Sequence, residues 1–255
     1  MLKKHLLIMV LSCKILKEIL TITIEADGIH LIMMFSVIIR TKNEARWIGH
    51  CIQSILDNIP SNEIIIVDNN SNDRSLEIIN MFKKNPNLED NPSKYTDITN
   101  LTIDEYTPGK ALNLGIANAK YDNILIISSH CVLTKFNLEK CQKNLESFAA
   151  FFGNQIPVYE GQKITKRYLW EHFSENEVVN MYSDLEKRQF FHNALSFFNK
   201  SCLQEIKFDE GLQGKEDRYW AEKLVKSGKK YLYDPSFECN HYYTSNGNTW
   251  ERYWL

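Results

Sequence analysis

Short apolar runs separated by amphipathic stretches pattern the first half of the chain. Phe35 to Arg40 (FSVIIR) is apolar and β-branched, and predicts a buried strand. Thr41 and Glu44, three residues apart, fit a capping box for the helix that follows. In that helix Trp47, Ile48, Cys51, Ile52, Ile55 and Leu56 recur at helical spacing, and it ends near Pro60. Glu63 to Asp68 (EIIIVD) predicts a second buried strand, and a polar turn from Asn69 to Asp73 leads to a helix carrying Leu76, Ile79 and Phe82. Residues 84–97 read as a surface loop and Leu101 to Ile103 as a strand. Gly109 opens a helix with Ala111, Leu112, Ile116 and Ala119, and Asn123 to Ser128 (NILIIS) is a further strand. Strands alternating with helices predict an α/β fold, with a mainly parallel twisted sheet and helices on both faces.

The second half changes character. Leu138 to Phe152 predicts a helix, Gly153 to Lys166 a loop, and Val178 to Leu185 another helix. Ala194 to Phe198 reads as a strand. Trp220, Ala221, Leu224 and Val225 mark a helix stopped by Gly228, and Tyr231–Tyr233 and Phe237–Tyr242 read as closing strands. No repeat and no low-complexity linker divides the chain, which predicts one domain, 34–255, made of two halves, 34–131 and 132–255, the sheet being accompanied by a smaller lobe on the side of the second.

Residues 1–33 stand apart as an N-terminal extension. Lys3 and Lys4 precede a short apolar stretch, Leu6 to Leu11, but Lys14, Lys17 and Glu18 follow at once. That run is far short of the ~20 apolar residues of a spanning helix. The expectation is a loosely attached or spurious leader, with Met33 or Met34 as the start.

Composition narrows the function classes. Lys and Arg total 30 against 32 Asp and Glu, and no basic block occurs, so a nucleic-acid partner is not expected. The six cysteines, at 13, 51, 131, 141, 202 and 239, include no C-x-x-C pair, which argues against a zinc ribbon and a dithiol redox centre. Scattered thiols suit a reducing, cytoplasmic compartment. Neither G-x-G-x-x-G nor G-x-x-x-x-G-K-[ST] is present. Ligands of such sheets bind beyond the carboxyl ends of the strands, where this chain has Thr41 and Asn43, Asp68 and Asn70, then Ser128, Ser129 and His130.

Four segments in order carry a family resemblance: SVIIRTKNEARWIGHCIQSIL, EIIIVDNNSND, GKALNLGIANAKYDNILIISSHC and EDRYWAEKLVKSGKKYLYDP. Together they resemble the family-2 nucleotide-sugar glycosyltransferases of the GT-A fold, from about Phe35 to His241. The resemblance implies that Thr41, Asn43 and Glu44 line the nucleotide pocket, although a capping role explains Thr41 and Glu44 as well. It implies that Asp68, with Asn70 beside it, receives the nucleotide base; a turn-forming Asp is the plainer reading. Lys110 and Asn113 fall where the family approaches the pyrophosphate or base, and an exposed lysine is an equal reading.

The Asp-x-Asp of the family is replaced by Ser128-Ser129-His130. The polypeptide N-acetylgalactosaminyltransferases have a similar Asp-Ser-His with the histidine on the metal. By resemblance, Ser128 and Ser129 contact the donor, and His130 with His241 holds a divalent metal; imidazole ligands favour Mn2+ over Mg2+. A lone histidine is more often a packed or surface residue, and only the pairing at motif positions raises the metal reading above that.

Glu216-Asp217 resembles the catalytic acidic pair, with Asp217 as general base in an inverting displacement; a helix N-terminal acidic pair is the plainer reading. Burial and Glu216 are both expected to raise the Asp217 pKa. Asn154, Gln155 and Asn193 are candidate acceptor contacts and Trp170 or Trp220 candidate sugar-stacking surfaces, as readily ordinary loop or core groups. The tail from Thr249 to Leu255, with Trp250 and Trp254, is a candidate peripheral membrane contact.

The implied function is an inverting transfer from a nucleotide sugar to a glycan or lipid-linked acceptor, in surface polysaccharide synthesis. The rival is a catalytically degenerate nucleotide-sugar-binding protein, because Asp-x-Asp is gone. A hydrolase is a weaker third possibility.

Overall fold

The computed structural model describes residues 22–25, 28–31, 33–59, 62–83 and 97–245. The Leu6–Leu11 run, most of the 84–97 loop and the 249–255 tail lie outside the described residues. Two units are separable, Met1–Met34 and Phe35–Leu255. In the first, β1 (Ile22–Glu25) pairs antiparallel with β2 (Gly28–Leu31).

The second unit is built on one large sheet. Its first half contains β3 (Phe35–Thr41), α1 (Ile48–Asn58), β4 (Asn62–Asp68), α2 (Ser75–Met81), β5 (Asp97–Thr102), α3 (Pro108–Asn118) and β6 (Asn123–Ser128). Then follow β7 (Cys131–Lys135), α4 (Leu138–Ser147), β8 (Ala150–Tyr159) and β9 (Gln162–Lys163). The short strands β10 (Val178–Val179), β11 (Tyr182–Ser183) and β12 (Arg188–Gln189) lead to β13 (Leu195–Asn199), α5 (Lys200–Glu205), α6 (Glu216–Lys226) and β14 (Tyr231–Tyr242). The sheet order is β10-β14-β8-β13-β6-β3-β4-β5, with β7 on β14 and β9 on β8. Strands β6, β3, β4 and β5 are mutually parallel, β14 is parallel to β8, and β13 runs antiparallel between β6 and β8. This is the expected α/β architecture, a mostly parallel central sheet with helices.

Burial explains the strand sequences. On β3, β4 and β6, alternate residues Ile38, Ile65, Ile124 and Ile126 join one core with Leu112 and Ile116 of α3 and Trp220 and Leu224 of α6. Gly115 lets α3 approach closely: a Cβ there would lie 2.6 Å from Ile38 Cγ2. The next residue along each strand faces the other way and is buried too, so these strands read as continuous apolar runs. On that second face Phe151 and Phe197 stack at 4.5 Å between centroids, and Phe237 packs against both.

Five local expectations are corrected. The capping box is not used: Trp47 occupies the cap of α1 and no side chain bonds there. Asn43, at φ 51°, turns the chain aside, and the next amides are satisfied from the neighbouring loop. Glu44 N–H donates to Ser75 Oγ and Ala45 N–H to Asp73 Oδ2, because parallel neighbours β3 and β4 end side by side. The 138–152 helix stops at Ser147, and the first half of the 153–166 loop belongs to β8, a buried strand. Gly153, Asn154 and Pro157 disguise it as a loop, although its polar groups have partners inside the fold. The 178–185 helix is two short strands, and the two closing strands are one, with a register shift between Asp234 and Glu238.

Candidate active site

A cleft of about 1050 Å3 opens at the carboxyl ends of β3 and β6. Arg40, Thr41, Ser128, Ser129 and His130 line one part of it; His192, Asn193, Glu216, Asp217 and Arg218 line another. Parallel pairing puts Arg40 beside Ser128 and Thr41 beside Asp68, so residues far apart in sequence meet at one edge.

Not every nucleotide-side candidate reaches this cleft. Thr41 does, and its buried Oγ1 has no hydrogen-bond partner among the described residues. Glu44 lines it as well and accepts from Thr244 Oγ1 at 2.9 Å. Asn43 braces the loops: its Oδ1 accepts from Asn72 N–H. The Asp68 carboxylate closes its own turn, accepting from Ser71 N–H at 2.9 Å and Ser71 Oγ–H at 2.6 Å. Asn70, at φ 50°, reaches the Ile103 carbonyl. Lys110 pairs with exposed Glu105 rather than lining the cleft. Asn113 is tied to the Phe208 backbone in both directions and to Glu210, joining α3 to the segment before α6. Neither of these last two residues is among those lining the cleft.

The two motif histidines do meet. β7 pairs antiparallel with β14, setting Cys131 opposite His241, and Tyr242 N–H donates to the His130 carbonyl. His130 Nε2 and His241 Nε2 are 3.0 Å apart. Behind them, His130 Nδ1 lies 3.4 Å from Glu44 Oε1, and His241 Nδ1 lies 2.9 Å from Gln155 Oε1. Burial first, then charge on His130 and His192, holds the His241 pKa well below the ordinary imidazole range. Two imidazole nitrogens 3.0 Å apart can ligate one divalent cation; the His241 ring is backed by Gln155, whereas His130 Nδ1 makes no hydrogen bond among the described residues. Among the described residues no set of three or more His, Cys, Asp or Glu side chains is arranged to hold a metal ion.

Glu216 and Asp217 open α6 after Lys215, at φ 60°. Both carboxylates are buried, at 5% exposure each, and both are paired. Arg40 Nη1 donates to Glu216 Oε1 at 3.0 Å; Arg218 Nη1 donates to Asp217 Oδ2 at 2.8 Å, and Asn193 N–H reaches the same oxygen at 3.2 Å. Burial raises the Glu216 pKa and Asp217 adds to it, with Arg40 opposing. For Asp217 the expectation is reversed. Burial pushes it up, but Arg218, His192 and the Asn193 amide outweigh burial, and its pKa lies below the usual carboxylate value. His192 stands between the two groups of residues. Burial, with Arg218 next, lowers its pKa to about 3.

The acceptor candidates divide. Asn193 lines the cleft, and its buried Nδ2 has no partner among the described residues. Asn154 sits behind it, between Glu238 and Lys166. Gln155 is fully buried and bridges His241 and His192 instead of facing the cleft. Trp220 is 1% exposed, packs against Phe191, Phe198 and Phe208, and donates its indole N–H to the Ile206 carbonyl. It has no open face for a sugar ring, and Trp170 is equally buried. The sequence assigns no role to Arg40, Arg218 or His192, the last of which falls in the Phe191–Ala194 segment that resembles an acceptor-flanking one. Arg40 was legible as the last charged residue of an apolar strand, directly at the ligand-binding edge; the other two had no comparable signal.

A mostly parallel α/β sheet, with histidines and an acidic pair around a cleft at its strand ends, defines the class as a GT-A-type fold. Residues 36–207 match the family model described as Glycosyl transferase family 2, and the chain belongs to that family. The poly(ribitol-phosphate) β-N-acetylglucosaminyltransferase TarS of Staphylococcus aureus (strain Mu50) is 24% identical over 82% of this chain and 37% of its own length. A poly-β-1,6-N-acetyl-D-glucosamine synthase of Staphylococcus epidermidis is 32% identical over 80% of this chain and 48% of its own. A dolichyl N-acetyl-α-D-glucosaminyl phosphate 3-β-D-2,3-diacetamido-2,3-dideoxy-β-D-glucuronosyltransferase of Methanococcus voltae is 25% identical over 83% of this chain and 67% of its own. The crystal structure of S. aureus TarS 1–349 with UDP-GlcNAc shares the fold, with TM-score 0.63 and 19% identity over 84% of this chain and 60% of that one. The chain thus spans about a third to two thirds of the length of the curated relatives it matches.

Proposed function

We propose that this chain transfers a sugar, with inversion, from a nucleotide sugar to a glycan or lipid-linked acceptor in surface polysaccharide synthesis. One observation carries the reading: His130 and the Glu216-Asp217 pair line the same cleft, with His241 in contact with His130. The names of the relatives support the chemistry, and TarS with bound UDP-GlcNAc supports a uridine diphosphate donor.

In this reading Asp217 accepts the proton of the acceptor hydroxyl as that oxygen attacks the anomeric carbon. The bond from that carbon to the diphosphate oxygen breaks, and its electron pair leaves with the nucleoside diphosphate. The lowered pKa keeps Asp217 ionised at neutral pH, so its contribution comes from placement more than from basicity. Arg218 holds the carboxylate, and the Asn193 side-chain amide is positioned for an acceptor or donor oxygen. Arg40 is paired with Glu216 and supplies positive charge on the cleft wall. His130 and His241 would hold a divalent cation, Mn2+ in preference to Mg2+, and that ion supplies charge for the departing diphosphate. A cytoplasmic setting is supported by the five described cysteines, all free and buried. Among the described residues no helix is long and apolar enough to cross a membrane, and a peripheral contact remains part of the proposal for lipid-linked acceptors.

The loss of the Asp-x-Asp carboxylate at Ser128, with a weakly basic Asp217, favours a second reading as a nucleotide-sugar binder without turnover. Incubating the protein with Mn2+, a panel of nucleotide sugars and candidate glycan acceptors, read by mass spectrometry, separates the two. Asp217→Asn is expected to keep donor binding and lose about 10²–10⁴-fold in transfer. Binding without transfer by the parent protein on every acceptor selects the binder, and transfer surviving in Asp217→Asn moves the base elsewhere.

A further inference from the structure

The hydrogen-bond directions around Gln155 are fixed by a single backbone amide. Ala194 N–H can only donate, and it points at His192 Nδ1 from 3.3 Å. His192 Nδ1 is therefore an acceptor, and this imidazole carries its proton on Nε2. The Gln155 atom 3.0 Å from the same Nδ1 must then be the donor, Nε2, which turns Oε1 toward His241. Oε1 only accepts, so the His241 Nδ1 at 2.9 Å carries a proton. His241 is 1% exposed, and with its one proton on Nδ1 the neutral ring presents the Nε2 lone pair toward His130 Nε2, 3.0 Å away.

We infer that Gln155 is the positioning residue of this centre, relaying the tautomer that Ala194 N–H sets in His192 to His241 in opposite form, so that His241 offers a lone pair beside His130 while His192 keeps its N–H on Nε2. The inference goes deeper into the metal reading above and rests on it for its consequence, cation affinity; the tautomers themselves do not depend on a metal. The tertiary placement is specific. β8 lies parallel beside β14, with Gln155 opposite Cys239, which brings the amide diagonally next to His241. Gln155 is fully buried, so water does not compete for either bond. A glutamine kept only for volume would be replaceable by methionine, which has nearly the same shape and neither hydrogen bond.

Imidazole ¹⁵N spectra of the full chain without metal test the tautomers directly. Expected are an Nδ1–H form for His241 and an Nε2–H form for His192. Gln155→Met is expected to abolish the single-tautomer signature of His241 and to weaken Mn2+ binding in the presence of UDP, followed by the electron spin resonance of free Mn2+, by about 10–100-fold. Gln155→Glu keeps an acceptor toward His241 and removes the donor toward His192. It should restore most of the Mn2+ affinity, while His192, still facing Ala194 N–H, stays in its Nε2–H form. An Nε2–H form of His241 in the parent protein, or unchanged spectra and affinity in Gln155→Met, overturns the inference. If Gln155→Met does not fold, an unmoved His241 signal in Gln155→Glu, whose carboxylate accepts more strongly from Nδ1–H, overturns it instead. A parent protein with the expected tautomers but no Mn2+ binding removes the metal reading and leaves Gln155 as the organiser of the two rings.

Discussion

The two halves of the sheet place polar groups in different ways. In β3, β4 and β6 the strand interiors are apolar beyond a buried Ser36–Glu63 pair near their starts, and the cleft-lining groups come at or just after the last residues: Arg40, Thr41, Ser128, Ser129, His130. In β8 and β14 polar groups lie within the strands: Asn154, Gln155 and His241 are buried there, each with partners. The first design needs only a hydrophobic run and a polar end. The second needs correct register between distant strands, since a buried amide or imidazole without its partner is costly. The half that is harder to read locally is also the half that organises the imidazoles.

The sharpest way to break this comparison is to cut the core under the second half. Phe152 packs against Phe173, Phe191 and Tyr233, so Phe152→Ala is expected to cost about 3–5 kcal/mol in denaturant unfolding, against roughly 0.5–1.5 for Ile38→Val in the first half. Equal losses would mean that the second half is not held by its aromatic core. Next comes acid sensitivity. Between pH ~6.5 and pH 3 the unfolded chain binds a proton that native His192 refuses, because its native pKa is about 3. Stability therefore falls as pH falls through that window, by up to ~1.4 kcal/mol per pH unit, and this contribution levels off below it. His192→Asn, which keeps an acceptor near the Nδ1 position, should flatten the fall by a comparable amount in thermal melts from pH 7 to pH 4. An unflattened profile would place the acid sensitivity on other groups. The smallest effect tests the first half: Lys110→Ala removes an exposed pair with Glu105 and should change stability and UDP affinity little, by at most ~0.5 kcal/mol. A large loss of UDP affinity would return Lys110 to the nucleotide site.

Much of the site was legible because motif spacing and strand alternation act over short distances. His130 follows a strand by two residues, His241 lies near the end of another, and Glu216-Asp217 opens a helix; each could be found without knowing its neighbours. Trp220 shows the limit. An indole beside an acidic pair suits sugar stacking, but its position on α6 turns it inward among Phe191, Phe198 and Phe208. Asp68 likewise fits a ligand position and a turn, and its local turn with Ser71 engages both carboxylate oxygens here. The rise expected for the Asp217 pKa failed for a related reason: burial and Glu216 were visible in sequence, whereas Arg218, adjacent in the chain, had no visible direction.

By itself the sequence determined the strand–helix alternation of the first half, the apolar strands whose polar ends line the cleft, and the motif positions of the family. Those follow from periodicity and local chain chemistry, which need no knowledge of distant partners. Only the tertiary structure decided that β8 is a strand, that Gln155 stands between His241 and His192, and that Arg218 outweighs burial at Asp217. Each of those depends on the register of strands and the direction of side chains brought together from far apart. No local pattern encodes that register; it is set by packing the whole sheet.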